Sequence, residues 1–142
     1  GYLNRAEATA DAIRDGWFRT GDIARIDEDG FVFIVDRAKD MVLRGGENVY
    51  CSEVEAAIYE HSDVAEAAVF GVPDERLGED VAAAVVLRPG AALDTVALQA
   101  FLAERIAKFK IPATIWFRDE QLPRNANGKF LKRELRDALV GG

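Results

Sequence analysis

Among 142 residues there is one cysteine, one histidine and one methionine. A lone Cys51 cannot close an internal disulfide, which agrees with a reducing compartment. With no Cys-x-x-Cys pair and His61 as the sole histidine, no transition-metal site of the usual kind is expected. His61, Cys51 and Trp116 read as structural, packing residues. The chain also lacks a Walker-type Gly-Lys-Ser/Thr loop, so it holds no complete triphosphate cradle, and any nucleotide site is supplied only in part. Its longest unbroken apolar run, Val81 to Leu87, falls far short of the ~20 residues that span a bilayer. Gly1-Tyr2-Leu3-Asn4 opens no signal-peptide pattern, and a cytoplasmic location is the default expectation. Positive charge is short as well. A net charge of −7 would repel nucleic acid and anionic membrane alike, so neither is expected as a partner. There is no repeat, no low-complexity tract and no long linker.

What is present suits one domain, or one domain carrying a short piece of another, since 49% hydrophobic content supports a real core. Residues 5–14 are rich in helix formers. Ile23–Ile26 and Phe31–Val35 flank Asp27-Glu28-Asp29-Gly30, which is hairpin chemistry. A second, shorter hairpin is expected from Met41–Leu43, turning at Gly45-Gly46 and returning by Asn48–Tyr50. Ser52 and Glu55 have capping-box spacing and place a helix start near Glu53. Val64–Val72 and Asp80–Arg88 are apolar without clean alternation, as central strands are. Asp94 or Thr95 caps a helix expected to reach Ala107, Ile115–Phe117 reads as a strand, and a last helix is expected from about Phe130. The expected fold is α+β: an N-terminal hairpin segment, then a small sheet of about three central strands flanked by helices.

Three stretches stand apart from core chemistry. Asp36 to Tyr50 gathers Arg37, Lys39, Asp40 and Arg44 around Gly45-Gly46, which can take positive φ and admit a ligand close to the backbone. Asp22 follows Thr20-Gly21 at a hairpin entrance. Its carboxylate can accept from vicinal hydroxyls such as a ribose's, or simply close an Asx-turn. Arg37 can pair with phosphate or ribose oxygens, or with its neighbours Asp36 and Asp40. Lys129 ends the polar loop Pro123-Arg124-Asn125-Ala126-Asn127-Gly128, where a lysine is either a mobile charge for a developing oxyanion or a surface residue at a helix start. From Arg124 to Arg136 five basic residues (Arg124, Lys129, Lys132, Arg133 and Arg136) face Glu134 alone, a balance that suits a small anionic ligand.

Together these stretches resemble the C-terminal part of the adenylate-forming acyl-CoA synthetase superfamily, which includes peptide-synthetase adenylation domains and beetle luciferases. The motifs are Gly16-Trp17-Phe18-Arg19-Thr20-Gly21-Asp22, Asp36-Arg37-Ala38-Lys39-Asp40 with Gly45-Gly46-Glu47-Asn48-Val49-Tyr50, and Pro123 through Gly128-Lys129. The resemblance covers essentially the whole chain. It departs from the family pattern at Cys51, where proline is common, and at Arg44, where a smaller residue is frequent.

That resemblance implies a ligase that uses ATP with Mg2+ to make acyl-AMP and pyrophosphate from a small-molecule carboxylate, foremost a fatty acid, and then acyl-CoA from coenzyme A. It implies that Asp22 and Arg37 contact the nucleotide, that Lys129 assists adenylation, and that Lys39 is a hinge. Arg44, Gly45, Gly46 and Glu47 would border the CoA channel. Residues 1–38 would end a large N-terminal AMP-binding domain, a partner otherwise absent here, and 39–142 would form the mobile C-terminal domain. The fragment alone is then expected to be inactive. Gly-Gly-Glu-Asn-Val-Tyr is more similar to fatty-acyl or aryl CoA ligases than to domains that load a carrier protein. That acceptor and a freestanding, non-catalytic binding module remain the alternatives.

Overall fold

A computed structural model describes residues 1–141, and the chain divides after Lys39 into two compact units. In the first, the helix-forming run gives α1 (Ala6–Ala12). It stops short of the expected Arg14 because Ile13–Arg14 (β1) pairs with Trp17–Phe18 (β2). β3 (Asp22–Ile26) and β4 (Val32–Arg37) then form the first long hairpin. Asp27 fixes its turn, with Oδ1 accepting from the amides of Asp29 (3.1 Å) and Phe31 (2.9 Å). No residue of this unit is buried, and Trp17, Phe18, Ile26 and Phe31 to Ile34 lie exposed.

The second unit contains β5 (Val42–Arg44), β6 (Glu47–Val49), α2 (Cys51–Tyr59), β7 (Val64–Asp74), β8 (Gly78–Leu87), α3 (Thr95–Ala103), a 3-10 turn at Lys108–Lys110, β9 (Thr114–Arg118) and α4 (Lys132–Val140). β8 is the axis of a five-stranded sheet ordered β6-β5-β8-β7. β7 lies antiparallel along one side of β8 from Val64↔Leu87 to Asp74↔Gly78. β9 runs parallel to β8 from Ala82↔Thr114 to Val86↔Arg118, and β5 reaches it at Arg44↔Gly78. The three central strands expected are β7, β8 and β9, with the β5–β6 hairpin joined to the same sheet.

Strand periodicity of two explains why β7 and β8 are apolar at nearly every position. Ala67, Val69, Val81, Ala83 and Val85 point to one face, under Val54 and Ile58 of α2 and Leu98 and Leu102 of α3. Ala68, Phe70, Ala82, Ala84 and Val86 point to the other, under Leu122 and Leu135. Trp116 stacks near Phe70 on this second face, at 6.1 Å between centroids. Both faces are therefore dry. Truncating Leu98 or Ile58 to alanine should cost about 2–5 kcal/mol.

Helix ends depart from the sequence expectation where distant contacts intervene. α2 begins at Cys51, with Tyr50 at the N-cap, rather than at Glu53. Glu55 Oε1 accepts from the amide of Val69 (2.8 Å) and pairs with Lys132 (2.7 Å). α3 is capped as expected, the Asp94 carboxylate accepting from the amide of Ala97. It ends at Ala103, not Ala107, because Ile106, Phe109 and Ile111 turn back onto the core. α4 begins at Lys132, not Phe130, because Phe130 is still bridged to Arg124.

Candidate functional site

In the first unit, the register of β3 and β4 sets Asp22 opposite Arg37. Arg37 Nε lies 3.0 Å from Asp22 Oδ1 across the strands, its Nη2 donates to the Thr20 carbonyl (3.5 Å), and its backbone amide donates to Asp36 Oδ1 (2.7 Å). The pair is partly exposed. The Asp22 amide donates to Thr20 Oγ1 (3.1 Å), which makes Thr20 the residue that turns the chain into β3. One arginine contact leaves a carboxylate with acceptor sites for further donors.

Lys39 lies in the turn after β4, exposed, and is the last residue of its unit. It is inside no helix or strand. Just beyond it, Cys51 Sγ donates to the Asp40 carbonyl (2.7 Å) and is fully buried in the first core, in keeping with a packing role. His61 is also structural: its ring packs edge-on against Phe101, and Nδ1 accepts from the amide of Asp63.

Arg44 and Glu47 close the β5–β6 hairpin as a register pair around Gly45 (φ +58) and Gly46 (φ +92). Two positive φ values in a two-residue loop are what a type I′ turn demands. A side chain at Gly45 would stand 3.0 Å from Leu77, whereas Gly46 faces open space. The turn is fastened to the β7–β8 bend: the Gly45 amide donates to the Leu77 carbonyl (2.9 Å), Arg44 Nε to Asp80 Oδ1, and the Leu43 amide to Glu79 Oε2 (3.0 Å). Arg44 is thus committed to Asp80. That bend is itself held by Asp74, whose carboxyl is kept below the usual range by hydrogen bonds from the amides of Leu77 and Arg76.

Lys129 occupies a tight loop bridged at Arg124↔Phe130. Asn125 organises it: its side-chain oxygen accepts from the amides of Asn127 (3.0 Å) and Lys129 (2.9 Å), and its own amide donates to the Lys129 carbonyl (2.9 Å). Gly128, at φ +78, takes the left-handed position the loop requires. The Lys129 side chain is exposed and makes no ion pair among the described residues.

The Lys129 loop is anchored through Glu66, near the start of β7, and the glycine turn at the β7–β8 bend. Glu66 and Asp74 are eight residue steps apart along the strand, roughly 26 Å at ~3.3 Å per step. The lysine and the glycine turn therefore stand at opposite ends of one sheet. Residues 53–129 match the model of the AMP-binding enzyme C-terminal domain. The chain belongs to this family.

Two relatives and one solved structure give the range. The chain is 56% identical over 136 residues to the 2-succinylbenzoate–CoA ligase of Geobacillus kaustophilus, covering 96% of this chain and 28% of that protein. It is 50% identical over 135 residues to the long-chain-fatty-acid–CoA ligase of Bacillus subtilis, covering 95% and 24%. ATP-bound MatB from Rhodopseudomonas palustris superposes with a TM-score of 0.87 at 44% identity, covering 97% of this chain and 27% of that one. The chain thus spans about a quarter of its relatives' length.

Among the described residues, no three His, Cys, Asp or Glu side chains converge as metal ligands would. None of the described helices is long and apolar enough to cross a membrane. Sequence reasoning missed Glu66, Glu79 and Asp80, the carboxylates that hold the two loops. A signal was present for Glu66, since a carboxylate inside an apolar run must find a partner.

Proposed function

We propose that this chain is the mobile C-terminal portion of an AMP-forming acid–thiol ligase acting on a fatty acyl or aryl carboxylate. In the first half-reaction a carboxylate oxygen attacks the α-phosphorus of ATP, the bond to the pyrophosphate oxygen breaks, and acyl-AMP and pyrophosphate form. In the second, the CoA thiol attacks the acyl carbon, loses its proton, and AMP leaves. Lys129 sets a positive charge against the oxygens that gain charge in the first step. Asp22 accepts from the ribose hydroxyls, beside Arg37. Gly45 and Gly46, between Arg44 and Glu47, leave a side-chain-free path along which the CoA arm reaches the acyl carbon.

Residues 1–38 close a large N-terminal domain that provides most of the seat for ATP, Mg2+ and the acyl group, and 39–142 turn about Lys39. The chain alone then has no turnover. The supporting observation is the separation of roughly 26 Å along β7 between the anchors of Lys129 and of the glycine turn. Two groups that far apart on one rigid sheet serve a single nucleotide only in succession, by rotation of the sheet. The test is carboxylate-dependent pyrophosphate release by the full-length ligase containing this chain. Lys129→Ala should lower it by on the order of 10²–10³, with folding stability changed by no more than about 0.5 kcal/mol. Wild-type release from the variant would remove Lys129 from the chemistry.

A further inference from the structure

We propose that Glu66 and Arg124 are positioning residues for Lys129, a polar strut from the sheet that fixes where the ammonium is presented during adenylation. The inference rests on the assignment of Lys129 to that half-reaction.

Glu66 projects from an apolar stretch of β7, with its side chain only 15% exposed. Both carboxylate oxygens are occupied by the loop region: Oε2 accepts from the Leu122 amide (2.8 Å) and Oε1 from Arg124 Nη2 (2.9 Å). The same guanidinium turns its Nη1 to the Gly128 carbonyl (2.9 Å) and lies 4.0 Å from the centroid of the Phe130 ring. Arg124 therefore grips the residue before Lys129 and the residue after it. Leu122 and Phe130, on either side of the loop, are packed into the second core beneath the sheet.

The backbone of Lys129 is thus fixed while its side chain projects into solvent. A lysine arm has four rotatable carbons, and its tip is placed only as well as its base. A misplacement of ~1 Å at a reacting centre costs about 10²-fold in rate. Arginine suits the task because its planar fork meets Glu66 and Gly128 together while stacking on Phe130, which a single ammonium cannot do. The carboxylate's position fits the same role, since a charge in a dry strand is retained only where it is fully engaged.

The test separates the half-reactions in the full-length ligase. Pyrophosphate release measures adenylation, and thioester formation from supplied acyl-adenylate measures the second step. Arg124→Ala and Glu66→Gln should each lower adenylation kcat by on the order of 10- to 100-fold while the second step proceeds at the wild-type rate. Arg124→Lys should fail to restore adenylation. Arg124 is 42% exposed and its removal leaves the Glu66–Leu122 contact, so Arg124→Ala keeps the fold even if Glu66→Gln does not. Equal loss in both half-reactions would reduce the strut to a folding contact and overturn the proposal. So would wild-type adenylation in Arg124→Ala beside its loss in Lys129→Ala. Adenylation retained in Lys129→Ala would instead overturn the assignment of the lysine on which the strut depends.

Discussion

Asp22 and Arg37 face each other across the open end of the first long hairpin, with guanidinium nitrogen and carboxylate oxygen 3.0 Å apart. Neither residue is near the other in sequence. Strand register alone brings them together, and it orients a carboxylate whose remaining acceptor sites can take a pair of hydroxyls.

Replacing Asp22 with alanine should raise the KM for ATP about tenfold or more, since a hydrogen bond to a charged group is worth about 1.5–3 kcal/mol. Stability should fall by no more than about 1 kcal/mol, because the ion pair is solvent-screened. Steady-state kinetics at varied ATP, paired with denaturant unfolding, check both. An unchanged KM would remove Asp22 from the nucleotide site.

Gly46→Val should impair thioester formation and spare adenylation. At φ +92 a β-branched residue is strained by about 1–3 kcal/mol, and the side chain would project into the open space beside the turn. Thioester formation from preformed acyl-adenylate is the measurement, and a wild-type rate would count against a thiol path over this turn.

Lys132 and Glu55 pair at 2.7 Å in a partly buried setting. Burial alone pulls the Lys132 ammonium down, but the Glu55 charge leads the opposing effects and the net shift is upward. A raised folded value means that the stabilisation is complete below the ordinary lysine range and is lost as pH rises through the folded value. Lys132→Met should cost about 1–3 kcal/mol at neutral pH, with the gap from wild type closing in strong alkali. Denaturant melts across pH test it. A gap that widens with pH would contradict the sign.

Local chemistry was legible wherever a few adjacent residues decide the outcome. The Asp27 to Gly30 turn, the Gly45-Gly46 turn and the Asp94 cap each follow from side chains within four positions of one another. The C-terminal end of α3 and the start of α4 were not, because Ile106 and Phe130 answer to cores built by distant strands. The same limit applied to the site. Glu66 visibly needs a partner, but Arg124 lies 58 residues away. Arg37 reaches across the hairpin to Asp22, a contact set by strand register. The resemblance carried the motif residues; it did not reveal the carboxylates that brace them.

The central claim is that one small unit turns about Lys39 to offer a lysine and then a thiol path to the same nucleotide. Single-turnover kinetics of the full-length ligase with Lys39→Pro test it most directly, because proline fixes φ near −65° at the turn that must rotate. The expected result is acyl-AMP formed at the wild-type rate and then accumulating, with thioester delayed. Thioester appearing at the wild-type rate, with no build-up of acyl-AMP, would contradict the account.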